Sequence, residues 1–272
     1  MKVIIAISTL IMAATLSQAG ELIFGKGAKL LAGGQPIDVS IGHLVPCAVD
    51  WNNDGRKDLI SGDTRGKVWV FLNKGTDNAP ELAEGTQVES AGKPITGMKN
   101  KYRRNSAGII GIYSKLHFGD WDNDGLKDLL IGQDGPAEDD LLFYKNIGTL
   151  DKPAFDKPVP IKLPGHVSRP SPYIIDFDSD ARKDLVCGTE GPDVIFYKNI
   201  GTPEKPQLAQ GKPLALDGDG FKQAYRSRIE LADWNNDGII DLLVGNSYSS
   251  KDAHGGNIWL FIGKKLTAPE RK

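Results

Sequence analysis

An all-β fold of four repeated sheets is what the sequence predicts, on three observations. First, an acidic stretch followed by an apolar run occurs four times: "DWNNDGRKDLISG" from Asp50, "DWDNDGLKDLLIG" from Asp120, "DFDSDARKDLVCG" from Asp176 and "DWNNDGIIDLLVG" from Asp233. The starts lie 70, 56 and 57 residues apart. Second, each copy leads through a turn into an aromatic run: "KVWVFLNKG", "LLFYKNIG", "VIFYKNIG" and "NIWLFIGKK". Short β-branched and aromatic runs between turn signals read as strands. Third, no helical period is found beyond the first twenty residues.

The order of elements in one unit follows from these runs. Each reads as strand, acidic loop, strand, turn, strand, turn and final strand. Three copies supply the last segment in "GTDNAPELAEG", "GTLDKPAFDKP" and "GTPEKPQLAQG". Tandem four-stranded units match the blades of a β-propeller. The fourth unit stops after its third strand, and "ELIFGKGAKLL" from Glu21 resembles the final-strand segments "PELAEGTQV" and "PQLAQGKPLAL". The expected architecture is therefore four four-stranded blades, with an N-terminal strand closing the last one. Closure removes the open sheet edges that invite pairing with other chains and makes a monomeric ring. An incomplete arc joined by a second chain is the alternative.

Composition sets outer limits. The chain has 272 residues, 40% of them hydrophobic, a formal charge of -2 and a pI near 6.1. That balance does not suit a nucleic-acid binder. The 32 Gly and 16 Pro favour turns over helices. "MKVIIAISTLIMAATLSQAG" joins a basic start to an apolar run and the small residues of a cleavage site, which predicts a signal peptide over 1–19. The propeller would then occupy 20–272 of a secreted or periplasmic protein. The apolar run is short for a bilayer, and no further span follows. Cys47 and Cys187 sit in strand-like runs. Two buried free thiols are expected there, although export would permit a bridge.

The acidic loops predict a metal. Crowded carboxylates repel one another unless a hard dication reverses the balance. Calcium takes six to eight oxygen ligands, which alternate residues of a curled loop supply. The candidate ligands are Asp50, Asn52, Asp54, the Arg56 carbonyl and Asp58, then Asp120, Asp122, Asp124, the Leu126 carbonyl and Asp128. The third and fourth sets are Asp176, Asp178, Asp180, the Arg182 carbonyl and Asp184, and Asp233, Asn235, Asp237, the Ile239 carbonyl and Asp241. An EF-hand shares the spacing but needs a Glu at the twelfth position. Ser61, Ile131, Cys187 and Val244 stand there instead. Asp- and Asn-rich turns that bind nothing are the plainer reading, and it has to explain acids kept at positions one, five and nine in every copy.

These loops resemble those of FG-GAP/VCBS repeats, the calcium-binding blades of integrin α-subunit propellers and of many secreted bacterial proteins. The resemblance covers nearly all of the chain beyond residue 19. It implies up to four structural Ca2+ ions. One departure is Ala181, where the other loops have Gly. A Cβ in a left-handed turn costs on the order of 1 kcal/mol.

The face opposite the loops collects basic and aromatic residues. The insertion "SAGKPITGMKNKYRRNSAGIIGIYSK" carries Arg103 and Arg104, while "HVSRPSPY" and "FKQAYRSR" add Arg169, Tyr225, Arg226 and Arg228. Arginine forks read carboxylate and sulfate, so an acidic polysaccharide or protein surface is a candidate partner. A solvated loop that only confers solubility is the alternative. The four His show no zinc spacing, and His117 reads as an inner-strand residue. No nucleophile-elbow or phosphate-loop motif is present. A carbohydrate-active lyase or hydrolase would have to be assembled in space from Asp63, Asp134 or Glu190.

Overall fold

The structure is a computed structural model that describes residues 30–37, 45–63, 66–96, 115–132, 141–165, 167–217, 221, 225–232, 237–249 and 254–264. Apart from Leu30, the described residues all belong to one unit, 31–272. The signal segment lies outside the described residues. Among the described residues no helix is long and apolar enough to cross a membrane.

Four antiparallel sheets form a four-bladed β-propeller. Before the first blade, β1 (Leu31–Ala32) and β2 (Gln35–Pro36) make a small hairpin. Blade 1 is β3 (Val45–Val49), β4 (Asp58–Gly62), β5 (Val68–Phe71) and β6 (Thr86–Gln87). A second hairpin follows, from β7 (Glu89–Ser90) and β8 (Lys93–Pro94). Blade 2 is β9 (Lys115–Gly119), β10 (Asp128–Gly132), β11 (Leu141–Tyr144) and β12 (Val159–Ile161). Blade 3 is β13 (Ser171–Ile175), β14 (Asp184–Gly188), β15 (Val194–Tyr197) and β16 (Lys212–Pro213). Blade 4 shows β17 (Tyr225–Ala232), β18 (Asp241–Ser249) and β19 (His254–Phe261).

The core lies between blades. Trp51, Ile60, Val68 and Val70 of blade 1 pack on Phe118, Leu129 and Leu142 of blade 2. Equivalent clusters join blades 2 and 3 around Leu130, Leu185 and Tyr197, and blades 3 and 4 around Val186, Phe221 and Val244. Trp51 stacks on Phe118 with ring centroids 4.7 Å apart. Truncating such a buried aromatic to Ala costs about 3–5 kcal/mol. The Gly that ends the second strand has a packing role here. A Cβ on Gly132 or Gly188 would collide with the backbone oxygen of Pro170 or Ser227, where the next blade begins.

The first strands of successive blades touch: β3 with β9, β9 with β13, and β13 with β17. Cys47, His117, Tyr173 and Glu230 occupy one equivalent register in them, opposite Ile60, Leu130, Val186 and Leu243. His117 lies 4.2 Å from the Tyr173 ring, and burial depresses its imidazole to about 4. The Tyr173 hydroxyl donates to the Leu231 carbonyl at 2.8 Å and lies 3.3 Å from Glu230 Oε1. Burial, then the charge of Glu230, pushes the Cys47 thiol up to about 11. No disulfide joins Cys47 and Cys187.

The expected N-terminal closing strand falls for the most part outside the described residues. Two observations surround that gap. The hairpin β1–β2 leans on blade 1 through an Ala32–Leu82 bridge, as β7–β8 leans on blade 2 through Ser90–Phe155. The chain therefore enters blade 1 where a preceding blade would leave off. In addition, Val68, Leu141 and Val194 open the third strands of blades 1 to 3 with 0% exposure, whereas the equivalent Ile258 is 80% exposed. Among the described residues no fourth strand pairs with β19.

Candidate functional site

The acidic loops connect the first and second strands of each blade, and their shape comes from their own side chains. Asp50 accepts the amides of Asp54 and Gly55, both at 3.1 Å. Asp120 accepts those of Asp124 and Gly125 at 3.1 and 3.0 Å, and Asp176 those of Asp180 and Ala181 at 3.0 Å each. The fifth-position acid then accepts the amide two residues on: Arg56, Leu126, Arg182 and Ile239, at 3.0, 2.9, 3.0 and 2.8 Å. Two left-handed residues per loop make this curl possible. They are Asn53 and Gly55, Asn123 and Gly125, and Ser179 and Ala181. Ala181 does adopt a positive φ, +68°.

The ninth-position acid is the most buried group of the loop. Asp58, Asp128, Asp184 and Asp241 are 2, 0, 0 and 0% exposed. In the first three blades one oxygen accepts the amide at position two: Trp51 and Trp121 at 3.0 Å, Phe177 at 3.1 Å. The other accepts an amide just past the third strand: Asn73, Asn146 and Asn199, at 2.7, 2.8 and 2.7 Å. Gly263 donates to Asp241 in the same way at 2.7 Å. The carboxylate therefore ties the loop to the third strand. Burial pushes Asp128 up to about 6, with repulsion from Asp122 and Asp124 adding to it and the two amide bonds opposing.

Positions one, three and five converge. Oxygens of Asp120, Asp122 and Asp124 lie within 4.8 Å of one another, as do those of Asp176, Asp178 and Asp180. Both triads could hold a metal ion. The residues fit one: the donors are hard oxygens, which suits calcium, and buried oxygens at position three, Asn52 Oδ1 and Asp122 Oδ1, have no hydrogen-bond partner. Asp237, Ile239 and Asp241 of the fourth loop are described, while Asp233 and Asn235 lie outside the described residues.

Cations from the same blade meet these acids. The Lys145 ammonium bonds Asp122 and, at 2.6 Å, Asp124. Lys198 bonds Asp178 and lies 3.0 Å from Asp180. Burial lowers Lys145, but its bonds to the two acids outweigh that and raise it. The Lys198 bond, with Arg182 adding, holds Asp180 at about 2. The side chains of Arg56 and Arg182 also reach Asp54 and Asp180. Sequence reading missed these cations. It likewise missed Asn73, Asn146 and Asn199, which are at most 1% exposed and whose side chains close the turn after the third strand. The signal was present in the repeated "FYKNIG".

At the opposite ends of the strands, part of the basic face comes together. Arg169 and Arg226 both reach Glu190 Oε1, at 2.9 and 3.2 Å. Arg228 lies beside them, donating to the Ser227 carbonyl at 2.9 Å. Burial lowers its guanidinium to about 10; Glu190 opposes this, and Arg226 and Arg169 repel it further. The Lys115 ammonium bonds the Arg169 carbonyl, and Arg226 lies 5.4 Å from the Tyr225 ring. Arg169 and Arg226 hold left-handed φ angles of 54° and 63°, a strain that costs of order 1–3 kcal/mol and clusters at functional sites. Arg103, Arg104 and Asp134 lie outside the described residues. Asp63 accepts the Lys67 amide at 3.0 Å within its own turn, and Glu190 is the partner of the two arginines.

Comparison with protein families agrees with the loop geometry. Residues 50–131, which hold the first two acidic loops and most of the strands around them, match the FG-GAP-like repeat.

Proposed function

We propose that the protein is an exported, calcium-stabilised propeller that acts as a non-catalytic binding module for an acidic polysaccharide or an acidic protein surface. Calcium would be held in each loop by side chains at positions one, three, five and nine and by the carbonyl at position seven. Its work is structural. It relieves repulsion among the carboxylates and locks the first strand of a blade to the second. The ninth-position acid, already bonded through two amides, keeps lone pairs for the ion.

The observation that carries the binding role is the gathering of Arg169, Arg226 and Arg228 around the single carboxylate of Glu190. Three guanidinium groups and one acid leave a net positive site, and two of the arginines hold strained backbone. Guanidinium forks favour planar anions such as carboxylate and sulfate, and Tyr225 offers an aromatic face beside them. Export is read from the first nineteen residues alone.

The test is retention on a panel of immobilised acidic polysaccharides, with new reducing ends or unsaturated products measured in parallel. Retention that falls at least tenfold in an Arg169→Ala/Arg226→Ala variant, with no cleavage, supports the proposal. Turnover that disappears in Glu190→Gln would replace it with a carbohydrate-active enzyme. Equal retention by variant and parent would remove the arginine cluster from the account.

A further inference from the structure

Four blades built on one plan allow an internal comparison of their loops. Blades 2 and 3 carry an acid at loop position three, Asp122 and Asp178; blades 1 and 4 carry Asn52 and Asn235. A second position changes in step. The residue after the last one of the third strand is Lys145 in blade 2 and Lys198 in blade 3, but Leu72 in blade 1 and Ile262 in blade 4. The registers that pair Leu59 with Phe71, Leu129 with Tyr144, Leu185 with Tyr197 and Leu242 with Phe261 make these four residues equivalent.

The structure joins the two positions. Each lysine bonds the third-position acid of its own loop and lies within 3.0 Å of the fifth-position acid. Where the acid is replaced by an amide, an aliphatic side chain replaces the lysine. Blades 1 and 4 thus hold three carboxylates at positions one, three, five and nine, and blades 2 and 3 hold four with one ammonium. Both patterns leave the same charge. The position-seven arginines do not track this exchange, since Arg56 accompanies Asn52 while Arg182 accompanies Asp178.

We infer that Lys145 and Lys198 are internal counter-ions, which fill the acidic triads of blades 2 and 3 in the metal-free protein and must withdraw for a dication to enter. The inference rests on the calcium reading for its second half only. A flexible stem of four carbons lets the ammonium reach the triad or swing to solvent. An ammonium supplies one charge where calcium supplies two and gathers six to eight oxygens, so the metal wins at sufficient concentration. Two consequences follow. Blades 2 and 3 hold their loops together without metal better than blades 1 and 4 do. Their calcium affinity is also reduced by the competition, because the bound ion must first displace a partner.

The experiment uses the full chain in four forms: parent, Lys145→Leu, Asp122→Asn, and both changes together, which gives blade 2 the residues of blade 1. In excess chelator, Lys145→Leu should lower the melting temperature by about 2–4 °C, and adding Asp122→Asn should restore it. In calcium titrations by calorimetry, Lys145→Leu should tighten one site at least tenfold, and Asp122→Asn alone should weaken one site at least tenfold. The double variant should return to near-parent affinity, a non-additivity that identifies a coupled pair. Equal melting of Lys145→Leu and parent in chelator would overturn the counter-ion itself. Normal melting shifts with an unchanged or weaker calcium site would overturn the competition. A parent that binds no calcium would instead remove the calcium reading and leave the metal-free half standing on its melting data.

Discussion

The acidic loops and the propeller axis treat the same repeat in opposite ways. In the loops, equivalent positions carry equivalent chemistry: Asp58, Asp128, Asp184 and Asp241 all bond the amide that follows the third strand. At the axis, the equivalent register carries Cys47, His117, Tyr173 and Glu230, four different side chains. The difference follows from what each position touches. The carboxylate of each ninth-position acid bonds amides of its own blade, so the same local problem is solved four times. An axial residue faces the neighbouring blades, and its partners are set by whatever those blades present, as when His117 packs against Tyr173 and Tyr173 meets Glu230.

The contrast can be tested from its strongest point downward. Asp128→Asn keeps the shape of the ninth-position side chain but removes the charge and turns an NH2 toward a backbone amide. A hydrogen bond to a charged group is worth about 1.5–3 kcal/mol, and a stranded buried donor costs a similar amount. Urea unfolding in chelator should show a loss of about 3 kcal/mol or more, and Asp184→Asn should match it because the bracket is the same. A much smaller loss in one of them would break the equivalence of the loops.

At the axis, His117 should report a one-blade effect with a defined pH sign. Its imidazole is held at about 4 by burial, below the ordinary 6.5, so the unfolded chain binds the extra proton first. Stability is then unaffected above pH 6.5 and falls as the pH drops from there toward 4, by about 1.4 kcal/mol per pH unit. Comparing His117→Leu with the parent at pH 7.5 and 5.5 should reveal this slope in the parent and its loss in the variant. Parallel pH profiles would show that the axis does not hold the ring neutral.

The smallest effect belongs to a single loop. Ala181 sits at φ +68° where Gly55, Gly125 and Gly238 have +80°, +87° and +80°. Ala181→Gly should therefore stabilise the protein by about 1 kcal/mol in thermal or urea unfolding, and Gly125→Ala should cost a similar amount. No gain in the first case would mean that the third loop has adapted to its Cβ.

The same contrast explains what the sequence made legible. The blades, their order, the loop acids and the strain at Ala181 could be read because they recur at a fixed spacing, and each recurrence is a local chemical requirement. The amide bracket of the ninth acid was not legible, because its second donor lies 15 to 22 residues away along the chain. The Lys145 and Lys198 pairing was also hidden, since "FYKNIG" reads equally well as strand end and turn. Arg169, Arg226 and Arg228 were picked out by residue type. Their shared partner Glu190 was considered only as an acid in its own right, because nothing in the spacing ties it to arginines 21 and 36 residues away.

The central claim is that dications hold the acidic loops of the folded chain, and calcium-dependent melting tests it most directly. Each site that binds only the folded state adds about 2.7 kcal/mol at a calcium concentration one hundred times its dissociation constant. Melting of the metal-stripped protein should therefore begin many degrees lower than in excess calcium and recover on adding calcium back, with magnesium far less effective. Superimposable melting curves in verified metal-free buffer and in millimolar calcium would contradict it.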